Sequence, residues 1–528
     1  MTRLCLTFAL LAVAGPAVAS EKTPMPRVVT PALIVDEAIR KIDGHLTAFW
    51  SKNGIQPAPV ADDAEFLRRL SLDLVGRIPT ASEARAFIES KDPEKRTKKI
   101  DELIGKPGYL NHFASVFRRT WVPQTADNRQ LEFVVPFFEQ WIRGKLKDNV
   151  PMDQVVREMV TVKTLFAGKG AETFRLEQTE SPFAFVQANE FKPENVAAAT
   201  SRLFMGVKIE CAQCHNHPFA PYKKEQFWEL AAFFAEVQPT IANISDPKFK
   251  REIKIPDVPK TVQARFFNDS REPVWDAKKS PRETFADWLT AKDNPFFARN
   301  MVNRMWAHFL GLGLVEPIDE PSEDNPPAIP ELLDDLSRMY AASGYDLRFL
   351  LRVVTRSKAY QLTSKQSHAS HADAKRFARV AVKSMSGEQL FDSLAIATGY
   401  HDGMSMRDRQ FGGIRREFIT KFGSTEKLTE KQTSILQALT LMNGRFVNDQ
   451  TSIDRSTFLA GVIDAPFLDS AGKVETMFLG TLSRMPTQGE AEKFGSYVDR
   501  GGVTGDKKKA VTDVYWALLN SSEFVLNH

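Results

Sequence analysis

The sequence predicts a mainly α fold: two helical domains joined by a short segment with minor β-strands. Three observations carry this. Apolar residues recur at helical spacing, behind capping residues, over 60–236 and again from about 282 to the end. Period-two alternation appears only near 250–268. The 528 residues, 43% hydrophobic and 26% charged, have an ordinary globular balance and enough length for more than one core. The predicted domains are 30–237 and 282–528, with 238–281 connecting them.

The chain opens on a leader. Arg3 precedes an apolar run over 4–14, and Ala17-Val18-Ala19 supplies small residues for cleavage before Ser20. The run is short for a bilayer crossing and ends in Gly15-Pro16. Residues 1–19 therefore read as a cleaved signal for export to the periplasm or cell envelope. No later segment is long and apolar enough to span a membrane.

Asp62 and Asp63 cap a helix carrying Phe66, Leu67, Leu70 and Leu74, broken by Gly76-Arg77-Ile78-Pro79. Thr80 with Glu83 forms a capping box for the next helix, to about Ser90. Asp92-Pro93 opens another through Ile100, Leu103 and Ile104, stopped by Pro107-Gly108. Further helices are expected at 109–121, 136–147 and 151–165, whereas 166–190 lacks periodicity and reads as a loop. Pro193 starts a helix with Val196, Ala199, Leu203 and Val207 on one face, and Phe227, Leu230, Ala231 and Phe234 mark another. Alternation at 253–258, and more weakly from Thr261 to Phe267, gives short strands, placed at an edge by Pro256 and Pro259. A linker at 276–281 returns the chain to helices. One motif recurs: Arg77-Ile78-Pro79-Thr80 with Glu83, Ala84 and Phe87 matches Arg484-Met485-Pro486-Thr487 with Glu490, Ala491 and Phe494. Both spell a sharp turn into a capped helix.

Charge excludes one class of partner. Net charge is +4 from 70 basic and 66 acidic residues, without a long basic run, so nucleic-acid binding has no compositional support. Lys507-Lys508-Lys509 reads as a solvated helix start, and Asp334 with Asp335 as an exposed helical pair. His308 reads as a core or boundary histidine, and Gly311-x-Gly313 as a helix stop.

Cys5 lies in the leader, leaving Cys211 and Cys214, with His215 directly behind them. Cys-x-x-Cys-His is the attachment pattern of c-type haem. Two thiols three residues apart reach the two vinyl groups of one porphyrin, and the adjacent imidazole meets the iron. Chance would produce this pattern on the order of once in ten thousand such chains. The expected cofactor is one covalent haem c, with Cys211 and Cys214 as anchors and His215 as proximal iron ligand. A local disulfide, a thioredoxin-like redox pair and a zinc site are the alternatives. The thioredoxin-like motif would need a strand before its helix, and four zinc ligands within 211–217 can hardly close a tetrahedron. Met205 and His217 stand too near in sequence to reach the opposite iron face. The expectation there is either His112, on the helix after Pro107-Gly108, or no protein ligand.

Several segments carry a family resemblance. Residues 71–80, Ser-Leu-Asp-Leu-Val-Gly-Arg-Ile-Pro-Thr, and 204–219 around the cysteines resemble the planctomycete-specific cytochrome C domain, type two. Asn294-Pro295-Phe296-Phe297-Ala298-Arg299, Val302-Asn303-Arg304-Met305-Trp306-Ala307-His308-Phe309, residues 313–317, 437–443 and the ending 517–524 resemble its companion, the planctomycete-specific domain type one. The resemblance implies haem c in the first domain and no settled activity in the second. Ala328-Ile329 stands where that family tends to have Ser-His, and Gly412-Gly413-Ile414 lacks a following proline. The expected function is that of an exported c-type haem protein, for electron transfer or a redox step with a partner protein of unknown identity. The alternative is a non-redox binding or scaffold protein of the cell envelope with a local disulfide. No Gly-x-Ser-x-Gly motif supports a hydrolase.

Overall fold

A computed structural model describes residues 30–126, 128, 131, 133–162, 181–218, 220–237, 249–322, 325–401, 413–422 and 445–528. Residues 1–29, where the leader was expected, most of the expected 166–190 loop (166–180), Gly412 and the 437–443 stretch lie outside the described residues. The protein is mainly helical, with two small sheets among the described residues. No helix among them is long and apolar enough to cross a membrane.

Helix α1 (Ala32–Lys52) turns Val35, Ala38, Ile42, Leu46 and Trp50 inward. Helix α2 (Asp63–Val75) begins at Asp62, whose carboxylate accepts the Glu65 N–H at 2.8 Å, and ends at Gly76 with φ 74°. It is buried on nearly every side, Arg68, Arg69 and Asp73 included. Helix α3 (Ala81–Glu89) opens on the expected box: the Glu83 N–H donates to Thr80 Oγ1 at 3.2 Å, and the Thr80 N–H to Glu83 Oε2 at 2.9 Å. Replacing Thr80 by Ala is expected to cost about 1 kcal/mol in urea unfolding. Then come α4 (Lys95–Gly105), α5 (Pro107–Trp121), α6 (Val135–Lys147) and α7 (Met152–Val160). The last stops short of residue 165, where the Thr161 hydroxyl folds back onto the Arg157 carbonyl at 2.8 Å.

A short helix, α8 (Ala184–Ala188), occupies the stretch expected to loop. Its Phe185 and Val186 are buried, but five residues are too few to display a period. Helix α9 (Pro193–Thr200) widens into a π turn, Ser201–Met205, closed by Gly206 at φ 70°. A Cβ on Gly206 would stand 2.8 Å from Asn300 Oδ1, so the close approach itself requires glycine. Helix α10 is Lys224–Ala231. The expected strands are β1 (Glu252–Lys254) and β2 (Thr261–Gln263), antiparallel with Ile253 opposite Val262.

The second half comprises α11 (Pro281–Leu289), α12 (Phe297–Leu310), α13 (Pro330–Ala342), α14 (Leu347–Arg356), α15 (Lys358–Gln361), α16 (Gly387–Thr398), α17 (Ile414–Phe422), α18 (Arg445–Gln450), α19 (Thr457–Asp464), α20 (Ser470–Leu482), α21 (Gln488–Asp499), α22 (Lys507–Leu519) and α23 (Ser522–Val525). A second two-residue ladder, β3 (Lys383–Ser384) with β4 (Leu526–Asn527), lies away from the connecting segment. Asp335 is buried rather than exposed. It accepts Lys41 at 2.9 Å and His45 at 2.8 Å from α1, while half-buried Asp334 pairs with Arg299. The packing of α1 on α13 and α14 covers Asp335, and sequence spacing within α13 carries no sign of that contact.

Two apolar clusters form the core. The first extends from Val35 through α5, α9 and α12 to Ala378. The second joins α16, α20 and α22, and takes in Leu72 and Ile78 from the first half. Met485 packs the other way, against the first cluster. The recurring motif builds the same turn twice. Arg77 Nη1 donates to the Ile78 carbonyl at 2.8 Å and Glu83 at 3.2 Å; Arg484 Nη1 donates to the Met485 carbonyl at 3.1 Å and Glu490 at 2.8 Å. Each turn thus delivers its apolar residue to the opposite cluster, and α3 packs on α20 between them.

Candidate functional site

The cysteine motif sits on a 3₁₀ turn, Glu210–Gln213, beyond the π turn. Ile209 and Ala212 are fully buried beneath it, and Trp228 of α10 donates its indole N–H to the Gln213 carbonyl at 3.0 Å. With those three groups holding the inner side, Cys211, Cys214 and His215 stand exposed, and both thiols are unbridged. His215 Nδ1 lies 2.7 Å from the Asn216 carbonyl. A carbonyl only accepts, so Nδ1 carries the proton and Nε2 of the neutral ring is bare. The Asn216 side chain is held by the Lys224 N–H at 3.0 Å.

His217 packs locally. Its N–H donates to the Tyr222 carbonyl at 2.7 Å and its ring lies 5.7 Å from the Tyr222 ring. Tyr222 in turn meets Phe267 at 5.1 Å, which ties the motif to the segment after β2. On the other side, Lys208 pairs with Glu320 at 3.0 Å and donates its N–H to the Asp319 carbonyl at 2.9 Å. Burial pushes the Glu210 carboxyl above its ordinary range, and Arg202, 3.6 Å away, opposes that only in part.

These donors fit covalent haem. Two accessible, unbridged thiols on one turn suit thioether attachment, and the Nδ1 contact of His215 presents Nε2 as the ligand nitrogen.

His112 stands elsewhere. It lies buried on α5, its ring 6.0 Å from that of His308 on α12. Burial first, and the neighbouring His308 second, hold its pKa well below the ordinary histidine value. Its Nε2 has no hydrogen-bond partner among the described residues. Its Nδ1 abuts Gly76, where a Cβ would come within 2.4 Å, so the cap of α2 makes room for this ring. The far end of α5 is nearer the motif, with Trp121 5.7 Å from Phe204. At 1.5 Å per residue, His112 is about 13 Å back along the helix from Trp121. The structure thus brings Cys211, Cys214 and His215 together, and His112 together with His308. Among the described residues no ring contact or hydrogen bond joins the two groups.

Sequence reading missed a buried polar centre beside those histidines. Asp73 accepts Lys383 Nζ at 2.7 Å, Asn527 Nδ2 at 2.7 Å and the Tyr360 hydroxyl at 2.9 Å. Its backbone carbonyl accepts His308 Nε2 at 3.1 Å. Lys383 also donates to the carbonyls of His308 at 2.8 Å and Phe309 at 3.1 Å. The available signal was one carboxylate set among Leu70, Leu72 and Leu74 on a helix too apolar to have a solvated face.

No curated protein and no solved structure matches this chain. Two family models do. Residues 41–239 match PSCyt2, described as protein of unknown function (DUF1549), and that span contains the cysteine motif. Residues 281–416 match PSD1, described as protein of unknown function (DUF1553). The order of the two matches makes the chain similar, along most of its length, to a pairing of these two uncharacterised domains, the same pair that its sequence resembles.

Proposed function

We propose that this chain is an exported c-type haem protein that carries electrons, or performs a redox step, in the cell envelope. The 211–215 turn carries the reading: two exposed, unbridged thiols beside a histidine whose Nδ1 is engaged and whose Nε2 is bare. The leader supports it, because bacterial haem c is attached outside the cytoplasm. Cys211 and Cys214 would hold the haem, and His215 Nε2 would be the proximal ligand. Bound haem supplies reversible one-electron exchange, tuned by its axial ligands and burial. Exposure of the turn leaves the site within reach of a redox partner protein.

The test is the full chain produced in a host with periplasmic haem maturation. The protein is expected to keep its haem through denaturing electrophoresis and to give a two-thioether pyridine haemochrome. Cys211→Ser or Cys214→Ser weakens attachment, and His215→Ala changes the iron spectrum. Because His112 lies with His308, His112→Ala is expected to keep the wild-type spectrum. A colourless protein with the apo mass overturns the reading. If that mass is also about two daltons low, the disulfide scaffold takes its place.

A further inference from the structure

A cavity of about 320 Å³ lies between α5 and α12, at the junction of the two matched spans. Its volume is at the lower end of small-molecule sites. The walls are apolar and partly aromatic: Phe117 and Trp121 from α5 face Met301 and Met305 from α12. Much of the polar lining is committed elsewhere, and the Glu316 carboxylate accepts the Gly313 N–H at 3.0 Å. Lys383 spends its three N–H bonds on Asp73 and the carbonyls of His308 and Phe309. The Thr120 hydroxyl donates to the Val116 carbonyl at 2.9 Å. The Arg304 guanidinium is held by Asn300 at 3.1 Å, by the Arg202 carbonyl at 2.6 Å and by Asp319.

His308 is different. Its Nε2 must be the protonated nitrogen, because it faces the Asp73 carbonyl at 3.1 Å. Nδ1 is then a bare acceptor, and no hydrogen bond among the described residues reaches it. Burial, reinforced by the charge of Lys383, holds this ring at a pKa of about 4, so the acceptor persists at neutral pH. A largely apolar slot with a bare imidazole acceptor on its wall suits a flat apolar molecule that brings one donor.

We infer that this cavity is a binding site for a small neutral aromatic ligand bearing a single N–H or O–H, which donates to His308 Nδ1 while its ring lies between Trp121 and Met305. The site does not depend on the haem reading, since none of its groups belongs to the cysteine motif.

Indole and 1-methylindole differ in that donor, which the second replaces by a methyl group, so they serve as the probes, added to the full-length protein and followed by saturation-transfer NMR titration. Indole is expected to bind about tenfold more tightly than 1-methylindole, the effect of one hydrogen bond. His308→Phe keeps a ring in place and should bring the ratio to about one. Thr120→Trp fills the slot from the half-exposed rim and Met305→Trp fills it from the wall; each should abolish indole binding. Melting temperature and circular dichroism establish that each variant is folded, and the wild-type ratio decides by itself if a variant is not. Equal affinities for the two probes, no indole binding up to its solubility, or binding that survives in both filled variants overturns the inference.

Discussion

Replacing Asp73 by Ala is expected to remove about 3–5 kcal/mol of stability, a large share of the whole for a folded chain. Asp73 is 1% exposed and accepts from Lys383, Asn527 and Tyr360. Without it Lys383, itself 4% exposed, keeps two backbone carbonyls but loses its counter-charge, while Tyr360 and Asn527 lose their acceptor. An uncompensated buried charge costs more than a missing neutral hydrogen bond, so the deletion is asymmetric. Lys383→Met in the same background should recover part of the loss, because it removes the stranded charge. Urea unfolding of the two single variants and the double variant measures this coupling. A loss under about 1 kcal/mol for Asp73→Ala, or strictly additive losses, would show that the centre contributes little.

Acid is expected to act on a second buried pair. Glu388 of α16 meets Arg118 and Arg119 of α5, each at 2.9 Å, with its side chain only 10% exposed. Burial alone would raise its pKa, but Arg119 and Arg118 outweigh burial and bring it to about 2, from 4.5. The folded value lies below the unfolded one. The contribution is therefore complete above about pH 4.5 and fades as pH falls toward 2. The difference is worth about 3 kcal/mol, at 1.36 kcal/mol per unit. Between pH 6 and pH 3 the wild type should lose more stability than Glu388→Gln by most of that amount. The comparison cancels other carboxylates such as Glu83, which behaves alike in both proteins. Parallel pH profiles for the two would refute the assignment.

Local chemistry was legible in the sequence. The Thr80–Glu83 box, the Gly76 stop, the short strands near 250–268 and the 211–215 motif each depend on residues within a few positions of one another. What stayed hidden depends on partners hundreds of residues away. Asp335 looked exposed because α13 gives no sign of α1 packing over it. Asp73 looked unremarkable because Lys383 and Asn527 enter from the far end of the chain. His112 could be placed on its helix from sequence, but not beside Gly76 and His308, since a helical period fixes a face and not what that face meets.

The buried charges of α2 also set an order of events in time. Arg68 donates to the carbonyls of Thr481, Glu523 and Phe524 at 3.0, 3.2 and 2.7 Å, and Asp73 waits for Asn527. Those partners lie 413 to 456 residues farther along the chain. At roughly 5–20 residues per second, the ribosome needs about 20–90 s to travel from α2 to them. Throughout that interval the central helix of the first half holds a guanidinium and a carboxylate without their eventual partners, so it cannot settle into its buried position. Contacts that span nearly the full chain also carry the greatest loop-closure cost and form late. The 523–527 segment therefore acts as a check on α2: a polypeptide cut short before it lacks the groups that satisfy Arg68 and Asp73, and it remains open to proteolysis.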